Sequence, residues 1–130
     1  MNDITNKEDV KNFVDSFYSK VKFDTIIGPV FAARIPEENW PIHLERMYSF
    51  WNTVLFKAHD YRGNAFSKHA SLPLESKHFQ RWLQLFSETI DDNFQGDKAE
   101  EAKQRANKMG ALFESKIKYL RDNDSHINLL

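Results

Sequence analysis

The chain reads as a succession of apolar stripes at helical spacing, separated by short polar breaks. Val10, Phe13, Val14, Phe17, Tyr18 and Val21 recur every three or four positions and predict a first helix with one buried face. Thr5 with Glu8 forms a candidate capping box ahead of it, with Asn6 as the alternative cap. A turn is expected from Asp24 to Phe31, where Gly28-Pro29 breaks the helix. Pro36 and Asn39 frame a second irregular stretch.

The next helix is expected to start after Asn39, with Pro41 in its first turn where a missing N–H costs nothing, and to run to about Ala58. Its pattern is apolar on two adjoining faces. His43, Met47, Phe50 and Val54 make one, and Leu44, Tyr48, Trp51 and Leu55 the other. A helix wet on only one side lies between two packed surfaces, and one of those surfaces could be a cofactor. A loop from His59 to Asn64 and a short helical piece from Phe66 to Leu72 follow, the latter stopped by Pro73.

Two more helices complete the pattern. One spans about Glu75 to Asn93, with Phe79, Trp82, Leu83, Phe86 and Ile90 on a stripe. The last is announced by Gly96-Asp97 and a capping signal from Asp97 with Glu100. Along it Ala99, Ala102, Ala106, Met109, Phe113, Ile117 and Leu120 hold the helical period, the small residues allowing close helix–helix approach. The expected fold is all-α in a single domain over 1–130, with a helical core at about 5–120 and a polar, frayed tail at 121–130.

Composition narrows the function. The chain has 130 residues, four glycines and four prolines, which leaves little turn chemistry for a β fold. A net charge of -1 argues against nucleic acid as partner. No apolar run approaches the roughly 20 residues of a membrane span, so the reading is no membrane and a cytoplasmic protein. Zero cysteines exclude disulfides, iron–sulfur clusters, thiolate-ligated haem and covalent haem attachment.

The histidines carry the candidate chemistry. His59, beside Asp60, and His126, in the tail, read as solvent-facing. Glu75-Ser76-Lys77-His78 matches half of a di-iron bundle motif, but such a site needs two copies and further glutamates. A closed zinc site needs four ligands, and neither cysteine nor His-Glu-x-x-His is present. The serines show no nucleophile-elbow pattern. His43 and His69 stand out, each on an apolar segment, with Tyr18 and Trp82 on the stripes of other helices. One imidazole to hold a metal, a second facing it, and walls of large flat rings describe a pocket for a planar iron cofactor.

Phe17-Tyr18, Gly28-Pro29-Val30-Phe31, Trp40-Pro41-Ile42-His43, Phe50-Trp51 and Val54-Leu55 together resemble the group III truncated haemoglobins of bacteria. So do Gly63-Asn64-Ala65-Phe66-Ser67-Lys68-His69 and His78-Phe79-Gln80-Arg81-Trp82-Leu83. The resemblance runs in order over roughly residues 5 to 120. It implies a globin-like, truncated two-over-two helical sandwich around haem b, iron protoporphyrin IX held without a covalent bond. By position it makes His69 the proximal iron ligand, and places His43, Tyr18 and Trp82 on the distal side as ligand-stabilising residues. Phe31, Met47, Phe50, Trp51 and Phe66 become cofactor-binding residues. Lys68 and Arg81 are candidate propionate partners by charge and neighbourhood.

Dioxygen, carbon monoxide, nitric oxide or peroxide are then the expected small ligands. Up to three distal donors exceed what an oxygen transport protein needs, because a carrier must release its cargo. Tight retention with oxygen, nitric oxide or peroxide chemistry is the expectation, with electrons from a separate reductase and the chain acting as a monomer. A non-catalytic oxygen sensor or buffer, and a cofactor-free helical interaction module, are the competing readings.

Overall fold

The computed structural model describes residues 1–57 and 74–127, and every regular element among them is helical. Helix α1 spans Lys7–Phe23, α2 Gly28–Arg34, α3 Trp40–Phe56, α4 Ser76–Asn93 and α5 Asp97–Ile127. A single 3-10 turn, Glu37–Asn39, leads into α3. The loop expected after Ala58 and the short helix expected at Phe66 to Leu72 lie outside the described residues.

The first stripe buries as its spacing predicts: Val10, Phe13, Val14, Phe17, Tyr18 and Val21 are all in the core. The cap of α1 is Asn6, the alternative, whose side chain accepts from the Asp9 amide at 2.9 Å. Thr5 instead gives its amide and hydroxyl to the Asp9 carboxylate. Gly28-Pro29 opens a helix where a break was expected. Proline at the first turn gives up an N–H that needs no partner and presets φ, so the pair that reads as a break starts the next helix, while α1 has already ended at Phe23. A Cβ on Gly28 would press on the Val21 and Lys22 carbonyls at 3.1 and 3.2 Å, which is why the chain can turn this tightly only there.

Helix α3 stops at Phe56, two residues short of expectation, with Lys57 in the left-handed conformation giving its amide to the Asn52 and Thr53 carbonyls. The start of α5 corrects a second cap. Asp97 lies inside the helix, and the cap comes from the other end of the chain: the Asp3 carboxylate accepts from the Lys98 and Ala99 amides at 2.9 and 2.8 Å. Gly96, at φ +144, makes room for it, since a Cβ would lie 2.5 Å from Asp3 Cγ. The helix then continues to Ile127, past the point where the polar sequence after Arg121 predicts fraying.

Packing sorts the helices into two crossed layers. Helix α1 packs on α3 and α4 on α5, and α1 also crosses α4. Leu83 sits against Gly110, where a Cβ would meet its methyl carbon at 3.3 Å, so α4 and α5 approach closely. Phe13, Val14, Phe17, Leu55, Phe86 and Ile90 fill the space between the layers. α3 is less buried: of its two apolar faces, Trp51 and Leu55 are in the core, while Met47 and Phe50 are only partly covered. That half-covered face borders a cavity.

Candidate functional site

The cavity has a volume of about 530 Å³ and is walled by α1, α2, α3, α4 and α5. α1 contributes Tyr18, α2 Phe31, and α3 a whole face of His43, Met47, Phe50 and Trp51. From the other layer come His78, Phe79, Trp82, Met109 and Phe113. The half-covered apolar face of α3 therefore runs along the cavity wall.

Polar tips point from an otherwise apolar lining. Tyr18 is 7 % exposed, and burial pushes its phenol well above the ordinary tyrosine range, so it remains an O–H donor at neutral pH. Its ring meets the His43 imidazole edge-on at 4.9 Å, and both rings meet Trp40, at 5.9 and 5.5 Å. Phe31 closes the group at 6.0 Å from Tyr18. Trp82 reaches the cavity from α4 with its ring edge-on to Phe17 at 5.5 Å. Three of the four groups expected to converge, Tyr18, His43 and Trp82, share one cavity. The fourth, His69, lies outside the described residues with Phe66 and Lys68.

The cationic edge differs from expectation. Arg81 does not line the cavity: its Nε donates to Asp24 at 2.8 Å and its Nη1 to Gln84 at 2.9 Å. Arg34 and Arg46 do line it, and both are exposed. Arg46 was missed as well, although its place one turn beyond His43 on the same helix face is a signal that could have found it. Arg34 depends on the unexpected α2 and had no such signal. Trp40, Phe79, Met109 and Phe113 were also missed, since each reads from sequence as ordinary core.

The Glu75-x-x-His78 pair has a local explanation. The His78 Nδ1 accepts from the Glu75 amide at 2.9 Å while the Glu75 side chain accepts from the His78 amide, a reciprocal cap at the start of α4. Among the described residues no three His, Asp or Glu side chains cluster as metal ligands.

A bundle of short helices folded two over two, with a histidine–tyrosine pair facing an apolar cavity, is a globin architecture. The chain belongs to the bacterial-like globins, whose family model matches residues 2–116, and within them to the group III truncated haemoglobins. It is 30 % identical over 115 residues to the group 3 truncated hemoglobin ctb of Campylobacter jejuni, covering 86 % of this chain and 91 % of that protein. The crystal structure of the group III truncated hemoglobin from Campylobacter jejuni superimposes with a TM-score of 0.83 at 29 % identity, over 90 % of this chain and 95 % of that one.

Membership of this family implies haem and small diatomic ligands. The cavity fits that group on its own chemistry. Its size lies in the range of cofactor pockets, its walls are flat aromatic rings, and its polar groups are few. Arg34 and Arg46 supply positive charge where an acidic edge would meet water.

Proposed function

We propose that the protein binds haem b through His69 and retains dioxygen or another diatomic ligand tightly, for oxygen, nitric oxide or peroxide chemistry instead of bulk transport. The supporting observation is the placing of the Tyr18 hydroxyl, the His43 imidazole and the Trp82 indole around one apolar cavity. Haem, when bound, supplies an iron that takes up the diatomic ligand. The protein supplies the surroundings.

Tyr18 is a neutral phenol at physiological pH, which burial only reinforces, and it offers a hydrogen bond to a polar ligand in the cavity. Such a bond to a partly charged acceptor contributes roughly 1.5–3 kcal/mol. At about 1.4 kcal/mol per factor of ten, that slows ligand escape by about 10- to 100-fold. The Trp82 indole donates only, so it discriminates in favour of an acceptor. His43, edge-on to both Tyr18 and Trp40, is positioned by those rings near the ligand. Phe31, Met47, Phe50 and Trp51 keep water out. Arg34 and Arg46 replace Arg81 as the cationic partners for the propionates. Reducing equivalents come from a separate reductase, and the chain acts as a monomer.

The absorption spectrum of protein purified after expression with ample haem tests this. A strong Soret band that shifts with carbon monoxide is expected, lost or greatly weakened in His69→Ala and kept in His43→Ala. A colourless wild-type protein refutes the proposal, and the reverse pattern in the two variants exchanges the proximal and distal assignments.

A further inference from the structure

Asp24 and Arg81 stand just behind the cavity wall, and their bonding is more elaborate than a surface pair requires. The Asp24 side chain is 5 % exposed and Arg81 29 %. One carboxylate oxygen accepts from Arg81 Nε at 2.8 Å, and the other from the Ile26 and Ile27 amides, each at 3.0 Å. Burial acts to raise the Asp24 carboxyl, but the Ile27 amide, the Arg81 guanidinium and the Ile26 amide outweigh it and hold the group below the ordinary carboxylate range. The Gln84 side chain accepts from Arg81 Nη1 at 2.9 Å and so fixes the roll of the guanidinium plane.

This one residue joins three parts of the distal wall. It closes α1, the helix that carries Tyr18, through its backbone amide, which donates to the Val21 carbonyl at 3.1 Å. It orders the turn into α2, which has no side-chain cap of its own and carries Phe31. Through Arg81 it grips α4 at the residue before Trp82. Otherwise α1 meets α4 near the cavity through edge-on rings, Phe17 on Trp82 and Phe86. Such apolar contacts resist separation but tolerate sliding, whereas a hydrogen-bonded guanidinium–carboxylate pair is directional. The other ion pair between these helices, Lys20 with Asp92, has its carboxylate 65 % exposed and adds little constraint.

We propose that Asp24 and Arg81 are positioning residues for the ligand pocket, setting the separation of the Tyr18 hydroxyl from the Trp82 indole. The proposal rests on the haem reading for its ligand measurements but not for all of its test.

The test uses the full chain with Arg81→Met, Asp24→Asn and Arg81→Lys. The infrared stretch of bound carbon monoxide reports on donors around the ligand. It should broaden or split in all three, since lysine keeps the charge but loses the Nε–H fork. Oxygen dissociation should rise by about 3- to 10-fold, the scale of coupling between neighbouring side chains, and Asp24→Asn with Arg81→Met together should be no worse than the larger single change. Haem transfer to excess apomyoglobin should stay within about twofold of wild type.

An unshifted infrared band and unchanged oxygen release in every variant overturn the proposal. Haem loss accelerated tenfold with an unchanged band also overturns it, and returns Arg81 to the propionates. In haem-free protein the Trp82 indole N–H resonance should move in Arg81→Met and Asp24→Asn. That measurement survives failure of the haem reading, and an unmoved resonance counts against the pair alone.

Discussion

Two aromatic regions share the space between the helix layers and behave differently. Around Phe13 the rings close on one another: Trp51, Phe86 and Phe94 meet it edge-on at 5.7, 5.8 and 6.4 Å, and Phe13 itself is 0 % exposed. Around Tyr18 the rings are just as close, yet they border a cavity of about 530 Å³. The density of aromatic residues is similar in both, so density is not what marks a site. The packed cluster consists mostly of phenylalanine, whose rings need only surface contact, with Trp51 shared between it and the cavity wall. The hollow one carries the Tyr18 O–H and the His43 and Trp82 rings on its side of the wall, groups suited to a polar ligand.

Breaking the packed side should have the largest effect. Phe13→Ala removes a ring that meets Trp51 on α3, Phe86 on α4 and Phe94 just beyond it, and leaves a void, at a cost of about 3–5 kcal/mol. Urea denaturation measures it. A loss below about 1 kcal/mol would place Phe13 among surface substitutions and erase the contrast.

The matching change on the hollow side is Tyr18→Phe, which keeps the ring and deletes the hydroxyl. Unfolding free energy should change by less than about 1 kcal/mol, while oxygen dissociation followed by stopped flow accelerates roughly 10- to 100-fold. An unchanged release rate removes the tyrosine from the distal scheme.

That contrast was partly legible in the sequence. The stripes of α1, α4 and α5 place Phe13, Phe86 and Ala102 in the core by spacing alone, because an apolar face must be buried somewhere. The two-faced pattern of α3 even indicated a missing second surface, which the structure supplies as the cavity wall. Caps and cations were legible only where they are local. Asn6 caps the helix that starts at the next residue, bonding an amide three positions on, and is visible. Asp3 caps a helix more than ninety residues away, and the sequence instead offered the nearer but wrong Asp97 with Glu100. The bonding of Arg81 was hidden for the same reason: its charge was visible, but its partner Asp24 is set by how α1 crosses α4. Gly28-Pro29 reads as a break because the residues that end a helix and those that begin one overlap.

Asp3 allows the packed half to be probed without touching any ring. Asp3→Ala leaves the Lys98 and Ala99 amides without their acceptor and should cost about 0.5–2 kcal/mol in thermal or chemical melts. Burial acts to raise this carboxyl, but bonds from Lys98, Ala99 and Ile4 hold it below its ordinary 3.8. A lowered folded value means the contribution is complete above the ordinary carboxylate range and fades as pH falls through the folded value. The wild type should therefore lose its advantage over Asp3→Ala only in acid. A gap that is constant down to pH 2 contradicts the assignment.

The smallest expected effect lies where the two regions adjoin. His78 lines the cavity, yet its Nδ1 is engaged by the Glu75 amide at the start of α4. Glu75→Ala deletes the return bond from the His78 amide and leaves the imidazole in place, so the loss should be about 0.5–1 kcal/mol. Oxygen release should be unchanged, because no atom removed faces the cavity. The pair of measurements separates a helix end from a ligand site. If Glu75→Ala leaves stability untouched but shifts ligand kinetics, the Glu-x-x-His sequence acts on the hollow side after all, and the boundary drawn between the two aromatic regions is misplaced.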